Sequence, residues 1–167
     1  MKKEEIINRV KALHFPKNSY VVFGAAPLTI LGLRDTDDID LLVSKELLEK
    51  LKEKGWKEIK KGRKDKPLTY DVFEAHDNWN FSSYNPTLDH LLKSAKILDG
   101  VPFASIEEVR KWKEASGRPK DVDDIKLIDK MITNKNKDVK IRIKTNPNCV
   151  CTNCQCRIKP EEIKNDR

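Results

Sequence analysis

Two aspartates one residue apart, Asp38 and Asp40, lie at the start of an apolar run that ends at Val43. Because side chains alternate between the two faces of a strand, these carboxylates would share one face, about 7 Å apart, and Ile39 and Leu41 the other. Two carboxylates at that spacing can hold hard divalent cations, which usually bind phosphates. Taken alone, the pattern also fits an acidic turn before a strand, because Asp is common in turns.

The residues that precede this stretch favour phosphate binding. Residues 19–23 form a continuous apolar run typical of a buried strand, and Gly24 ends it. Gly24 allows the backbone to approach a triphosphate closely, and the N-terminus of the helix predicted over 25–33 favours an anion. Two interpretations stay open for Arg34, which either fixes the turn with Thr36 or reaches a phosphate.

Polar residues further along the chain add to this pattern. Asp71 lies in an alternating segment, 68–75, that predicts a single strand, although the alternation does not decide whether Asp71 faces the core or the solvent. Lys120 and Asp121 open a helix predicted over 119–132, where the helix dipole also favours an Asp for structural reasons.

In this order, the residues resemble the nucleotidyltransferase superfamily whose founding fold is that of DNA polymerase beta. More narrowly, they resemble the small bacterial and phage nucleotidyltransferases related to the AbiEii-type toxins. The family pattern is a G-G or G-S turn, then D-x-D, a later strand Asp and a distal Lys-Asp helix, and it covers residues 5–132 here. This chain departs from it at Ala25, where the family has Ser or Gly, so that only backbone N–H groups would meet the phosphate.

The resemblance implies a metal-dependent enzyme with an α/β (α+β) fold, a small mixed sheet flanked by helices. It would move an NMP group from an NTP to an acceptor, which is RNA, protein or a small molecule, and release pyrophosphate. Asp38, Asp40 and Asp71 would be catalytic and would hold two Mg²⁺ ions, with Asp71 assisting deprotonation of the acceptor. The residues implied to bind the nucleotide are Gly24, Ala25, Arg34, Thr36, Lys120 and Asp121.

A second hypothesis comes from a different class of protein. The chain would keep the fold but act as a non-catalytic nucleotide- or RNA-binding module of a toxin–antitoxin or regulatory system. Ala25 favours this alternative, because the phosphate loses a hydroxyl donor. The three carboxylates favour the enzyme, because a binding module has no need of them.

Local sequence signals predict the elements that must position these residues. Apolar residues recur at helical spacing in several segments, and Ser44, Thr87 and Ser105 are suited to cap the helices that follow them. Asp99 and Gly100 predict a hairpin turn. Strands that alternate with helices indicate the α/β or α+β class.

The composition predicts a highly charged soluble protein of one domain with an appendage. The 167 residues are 38% hydrophobic and 37% charged, and this length is enough for a hydrophobic core. No apolar run approaches the roughly 18 residues that span a bilayer, and residues 1–6 lack the apolar core of a signal peptide. We therefore expect a cytoplasmic protein that does not contact membranes.

The net charge of +7 is concentrated near the end of the chain. Residues 133–167 contain nine Lys or Arg and four Asp or Glu, a net charge of +5, which leaves +2 for residues 1–132. Such a tail is suited to contact RNA, although many basic tails are solvated extensions. We expect a nucleotidyltransferase-like domain over 1–132, then a basic linker over 133–147 in which alternation over 140–144 fits one strand.

All four cysteines lie in the tail over 148–167. In a reducing compartment, clustered thiols indicate metal ligands better than disulfides, and four thiolates suit tetrahedral Zn²⁺. The four cysteines are more closely spaced in the sequence than the ligands of most zinc ribbons. A loop that binds one ion and a zinc ion shared across a dimer both fit this spacing, as does a tail of reduced thiols. The predicted zinc ligands are Cys149, Cys151, Cys154 and Cys156.

Metal analysis tests the zinc prediction. Protein purified under reducing conditions should contain about one zinc ion per chain, because four thiolates satisfy the tetrahedral preference of the ion. Replacing Cys151 and Cys154 by Ser should release it, whereas replacing Ser82 and Ser83 by Ala should not. Protein that is fully reduced and free of zinc would contradict the prediction.

Overall fold

A seven-stranded mixed sheet forms the centre of the fold, which the computed structural model describes for residues 1–79 and 83–144. Six helices accompany the sheet in these ranges, so the fold is a mixed α/β structure, as the sequence predicts. The chain divides into two compact units, residues 1–131 and 132–167. Within the described ranges, no helix combines the length and the apolar character needed to cross a bilayer.

The elements follow one another in an order that mixes strands with helices. They are α1 (Lys3–Ala12), β1 (Tyr20–Phe23), α2 (Ala26–Ile30), β2 (Ile39–Val43), α3 (Lys45–Glu53), β3 (Lys57–Glu58), β4 (Leu68–Tyr70), β5 (Phe73–His76), α4 (Leu88–Ser94), β6 (Lys96–Leu98), β7 (Val101–Phe103), α5 (Ile106–Ser116) and α6 (Pro119–Lys144). The strands lie in the sheet in the order β3-β4-β5-β2-β1-β7-β6.

Strand β2 lies in the middle of this sheet and is paired on both sides. It runs antiparallel to β1 and parallel to β5. Its side chains alternate, so Ile39 and Leu41 enter the hydrophobic core together with Ile6 and Val10 of α1, and all four are almost fully buried. The other face of β2 carries Asp40, the polar side chain of the strand, and the fully buried Leu42.

Local capping signals are confirmed where the sequence predicts them. The side chains of Ser44, Thr87 and Ser105 each accept a hydrogen bond from a backbone N–H in the first turn of α3, α4 and α5 respectively. Asp99 and Gly100 join β6 to β7, and both have a positive φ, as a tight hairpin turn requires. These elements form where expected because their signals lie within a few residues.

The prediction of one strand over 68–75 is wrong. Tyr70 pairs with Phe73, so the chain turns at Asp71 and Val72 and returns as β5. Asp71 has a φ of 51°, a left-handed conformation that Asp tolerates better than most residues. The alternating pattern continues through the turn and therefore does not reveal it.

Helical boundaries also differ from the prediction. Helix α2 is shorter than the segment 25–33, and α6 continues through Lys144, so the strand fitted to 140–144 is wrong. Residues 133–144 lack a strong apolar period, yet they continue a helix that begins at Pro119 with the residue best suited to a first helical position. The predicted cysteine site lies outside the described residues.

Candidate active site

The register between β2 and β5 places carboxylates side by side. Asp40 is the partner of Glu74 in this parallel pair, and His76 lies two residues further along β5 on the same face. Asp38 precedes β2 and shares the face of Asp40. All four side chains line one open cleft of about 440 Å³.

Gly24 makes room for the carboxylate of Asp40. It follows Phe23, the residue of β1 that pairs with Asp40, and has a φ of +65°. A Cβ at Gly24 would lie 1.8 Å from Oδ2 of Asp40, which is an impossible contact. Glycine is therefore required here by both the backbone conformation and the closeness of the carboxylate. Ala25, which also lines the cleft, precedes α2 and provides no side-chain cap.

Thr36 orients Asp38. The Thr36 hydroxyl lies 3.0 Å from Oδ1 of Asp38 and 3.1 Å from its carbonyl oxygen, and the residue is almost fully buried. A buried hydroxyl with these acceptors limits the orientations that the Asp38 carboxylate can adopt. The loop before β2 therefore presents this carboxylate in a defined direction.

Negative charge accumulates around Asp40. Burial, together with the charges of Asp38 and Glu74, raises the pKa of Asp40 to about 7, although the charges of Lys61 and Lys113 oppose this. The ammonium group of Lys61 contacts Glu74 from the loop between β3 and β4. A divalent cation would relieve the repulsion that remains among these clustered carboxylates.

His76 completes a set of groups that can hold a metal ion. Burial lowers the pKa of His76 to about 4, although the charge of Asp65 opposes this, so the imidazole is neutral near pH 7. Ligand atoms of Asp40, Glu74 and His76 all lie within 4.8 Å of one another. Carboxylate oxygens and a neutral imidazole nitrogen are common ligands of divalent cations, so the donor set fits a metal ion.

Two tryptophans form the aromatic wall of the cleft. The ring centroids of Trp79 and Phe23 are 4.5 Å apart, and those of Trp79 and Trp112 are 6.0 Å apart. The guanidinium group of Arg118 lies 4.9 Å from the centre of the Trp112 ring, a cation–π arrangement. The wall thus brings a positive charge into the lining of the cleft that also contains the carboxylates.

A buried ion-pair network joins α5, α6 and the loop before β2. Lys113, only 2% exposed, lies 2.7 Å from Asp124 and 3.2 Å from Asp121. Arg34 donates from Nε and Nη2 to both oxygens of Asp124, and Arg118 does the same to Asp121. Two carboxylates and three cations leave a net positive charge beside the carboxylate cluster.

The network also sets the ionisation of its two aspartates. Burial alone would raise the pKa of Asp124, but the hydrogen bonds from Arg34 and Lys113 outweigh it and lower the pKa. For Asp121, burial is likewise outweighed by the hydrogen bond from Arg118 and the charge of Lys113, and the pKa is lowered. Both aspartates are therefore ionised at neutral pH and stabilise the fold as anions.

The structure gathers most of the predicted site residues and separates two of them. Asp71 lies in the turn between β4 and β5, 53% exposed, where it accepts a hydrogen bond from Arg9. Asp121 is fully buried and bonded to Lys113 and Arg118, so its carboxylate is not available to a nucleotide. The predicted residues that line the cleft are Gly24, Ala25, Arg34, Thr36, Asp38, Asp40 and Lys120.

Several residues of the cleft are missed by the sequence analysis. Glu74 lies between two apolar residues, Phe73 and Ala75, and this local pattern would have marked a carboxylate on a buried strand. No comparable local signal marks Lys61 or Lys113, because only the folded chain brings them to the carboxylates.

Comparisons with known proteins do not identify the chain. No family matches the sequence, and neither the curated proteins nor the solved structures contain a significant match. The geometry of the cleft is therefore the basis for a functional proposal.

Acid should weaken the fold through the buried network. Because the pKa of Asp124 is lowered in the folded state, its contribution is present above the unfolded value of 3.8 and is lost as the pH falls through the folded value. Asp124→Asn should reduce the free energy of unfolding at pH 7 by about 3–5 kcal/mol, because a buried ion pair is broken. The difference from wild type should shrink below pH 4, as measured by urea unfolding.

Asp123→Asn is the matched control for this prediction. Asp123 neighbours Asp124 in the sequence, but its side chain is 78% exposed and pairs with Lys126, which is exposed as well. Its replacement should leave the stability nearly unchanged at every pH. Equal effects of the two substitutions would show that the network does not stabilise the fold.

Proposed function

We propose that this chain is a metal-dependent nucleotidyltransferase that moves an NMP group from an NTP to an acceptor hydroxyl or phosphate. The observation that supports this most is the convergence of Asp38, Asp40 and Glu74 on one cleft, directly beside the turn at Gly24. In-line attack on an α-phosphate needs neutralisation of charge on the attacking and leaving oxygens, and clustered carboxylates that hold cations suit this task. The nucleotidyltransferase fold is part of the same proposal.

The proposal replaces Asp71 by Glu74 as the third carboxylate. Glu74 is the partner of Asp40 across the sheet, whereas Asp71 is held by Arg9 outside the cleft lining. Asp38 and Asp40, the D-x-D stretch of the family pattern, keep the roles that the resemblance implies. The third acidic residue becomes Glu74, three positions after Asp71 in the chain. The order of the elements along the chain is unchanged.

The carboxylates of Asp38, Asp40 and Glu74 would hold Mg²⁺, because this ion prefers hard oxygen ligands. When bound, the ions supply electrostatic stabilisation of the phosphate oxygens. Thr36 keeps Asp38 in place through its hydroxyl, and Gly24 lets Asp40 approach the backbone of β1. These residues therefore organise the site before any substrate binds.

The positively charged residues of the cleft suit the polyphosphate. Lys120 is exposed and lines the cleft, as does Arg118, whose guanidinium also donates to Asp121, and the backbone N–H groups after Gly24 add donors. Arg34 has a structural role, because its guanidinium donates to Asp124 and to the carbonyl oxygen of Asp35. This favours the structural interpretation of Arg34 over direct phosphate contact.

The residues of this cleft can supply what the transfer reaction requires. The acceptor oxygen attacks the α-phosphorus, the bond from the α-phosphorus to the bridging oxygen breaks, and pyrophosphate leaves. A hydroxyl acceptor loses its proton to Glu74, which takes over the role that the resemblance gives to Asp71.

A labelling assay tests the proposal and the assignment of Glu74 together. The protein would be incubated with Mg²⁺, each of the four α-labelled NTPs and total RNA, and labelled RNA and labelled protein would be separated on gels. Wild type should transfer label, and Asp40→Asn and Glu74→Gln should each lower the rate about 100-fold or more, because a ligand of the ion is lost.

Asp71→Asn makes the same change from acid to amide outside the cleft, and it should stay within about twofold of wild type. Loss of transfer in Asp71→Asn with retention in Glu74→Gln would return the third position to Asp71. Equal labelling by wild type and Asp40→Asn would exclude an enzyme at this site. Nucleotide binding without transfer by wild type would support the binding module instead.

A further inference from the structure

His76 lies where it can act as a nitrogen ligand. It shares one face of β5 with Glu74, and Asp40 lies beside Glu74 on β2. The ligand atoms of these three residues all lie within 4.8 Å of one another. Two ligands on opposite sides of one ion, each with a bond of about 2.1–2.3 Å, are separated by a similar distance. The backbone of two paired strands, rather than a loop, holds this arrangement.

The surroundings of His76 orient its ring. The side chain is 8% exposed, and its centroid lies 5.6 Å from that of Trp79. Its Nδ1 lies 4.0 Å from Oδ1 of Asp65, a buried atom without a hydrogen-bond partner among the described residues. Asp65 and Trp79 line the same cleft as His76, so both border the imidazole there.

The mixed donor set discriminates between ions. Mg²⁺ is bound by oxygen ligands and keeps several of its waters. Transition-metal dications also bind at sites that include an imidazole nitrogen, with an affinity that rises from Mn²⁺ towards Cu²⁺. We propose that Asp40, Glu74 and His76 form a binding centre for a transition-metal dication such as Mn²⁺, with the imidazole of His76 as a direct ligand. This deepens the proposed function, on which it rests for the role of the cleft.

Lys61 is the counter-cation that such an ion displaces. Its ammonium group contacts Glu74, and its side chain is 42% exposed and extends from the loop between β3 and β4. An exposed lysine side chain can leave at small cost, because its flexible stem has many conformations in solvent. Removing its charge should therefore strengthen metal binding.

Mn²⁺ alone is a suitable probe for the full chain. Electron paramagnetic resonance measures free and bound Mn²⁺ during a titration, and pulsed experiments detect a coordinated imidazole ¹⁴N. Thiolates of the cysteine tail compete poorly for this ion. Wild type should bind Mn²⁺ with a ¹⁴N signal, and His76→Gln should lose that signal and bind about tenfold more weakly.

Two further variants make the test decisive. His90→Gln is the matched control, because His90 pairs with Glu108 and does not line the cleft; its affinity and ¹⁴N signal should equal those of wild type. Lys61→Met should bind Mn²⁺ about two- to tenfold more tightly, since a competing cation is removed. A gain in affinity cannot result from misfolding.

The contrary results are equally specific. Absence of Mn²⁺ binding, bound Mn²⁺ without a ¹⁴N signal in wild type, or a ¹⁴N signal that persists in His76→Gln would overturn the inference. If the nitrogen-coordinated ion is found but no NMP transfer occurs, the inference stands and the proposed function fails. If transfer occurs with Mg²⁺ and Mn²⁺ shows no nitrogen ligand, only this inference fails.

Discussion

The register of strand β2 is the constraint on which the candidate site depends. Antiparallel pairing with β1 places Asp40 opposite Phe23 and therefore against Gly24, and parallel pairing with β5 places Asp40 beside Glu74. Because the side-chain period of a strand is two, a shift of one residue would turn Asp40 into the hydrophobic core and Leu41 into the cleft. The burial of the apolar residues of β2 therefore specifies the position of the acidic ones.

The carboxylate cluster has a cost that the rest of the cleft reduces. Burial of a charge and like charges packed near one another both oppose folding, and the pKa of Asp40 is raised first by its burial and then by the charges of Asp38 and Glu74. Lys61 offsets part of it from a loop, and Lys113 offsets another part from the buried network of α5 and α6. Sites that bind cations commonly retain such repulsion, because the ligand supplies the compensating charge.

The sequence predicts what local patterns encode. The bounds of β2, the cap at Ser44 and the pair Asp38 and Asp40 follow from signals within a few residues, and the structure agrees with them. The identity of the third carboxylate does not follow from local signals. The alternating pattern continues through the turn at Asp71, and the pairing that places Glu74 beside Asp40 joins residues 34 positions apart in the chain. Hydrophobic periodicity does not predict long-range ion pairs either, because a charged residue in a helix usually indicates an exposed face.

A structure with a nonhydrolysable NTP and Mg²⁺ tests the central claim most directly. The account predicts the triphosphate in this cleft, with an ion at about 2.1 Å from oxygens of the α-phosphate and from the carboxylates of Asp40 and its neighbours Asp38 and Glu74. Asp71 should remain bonded to Arg9 on the outside. A nucleotide bound elsewhere on the chain, or an ion held by Asp71, would contradict the account.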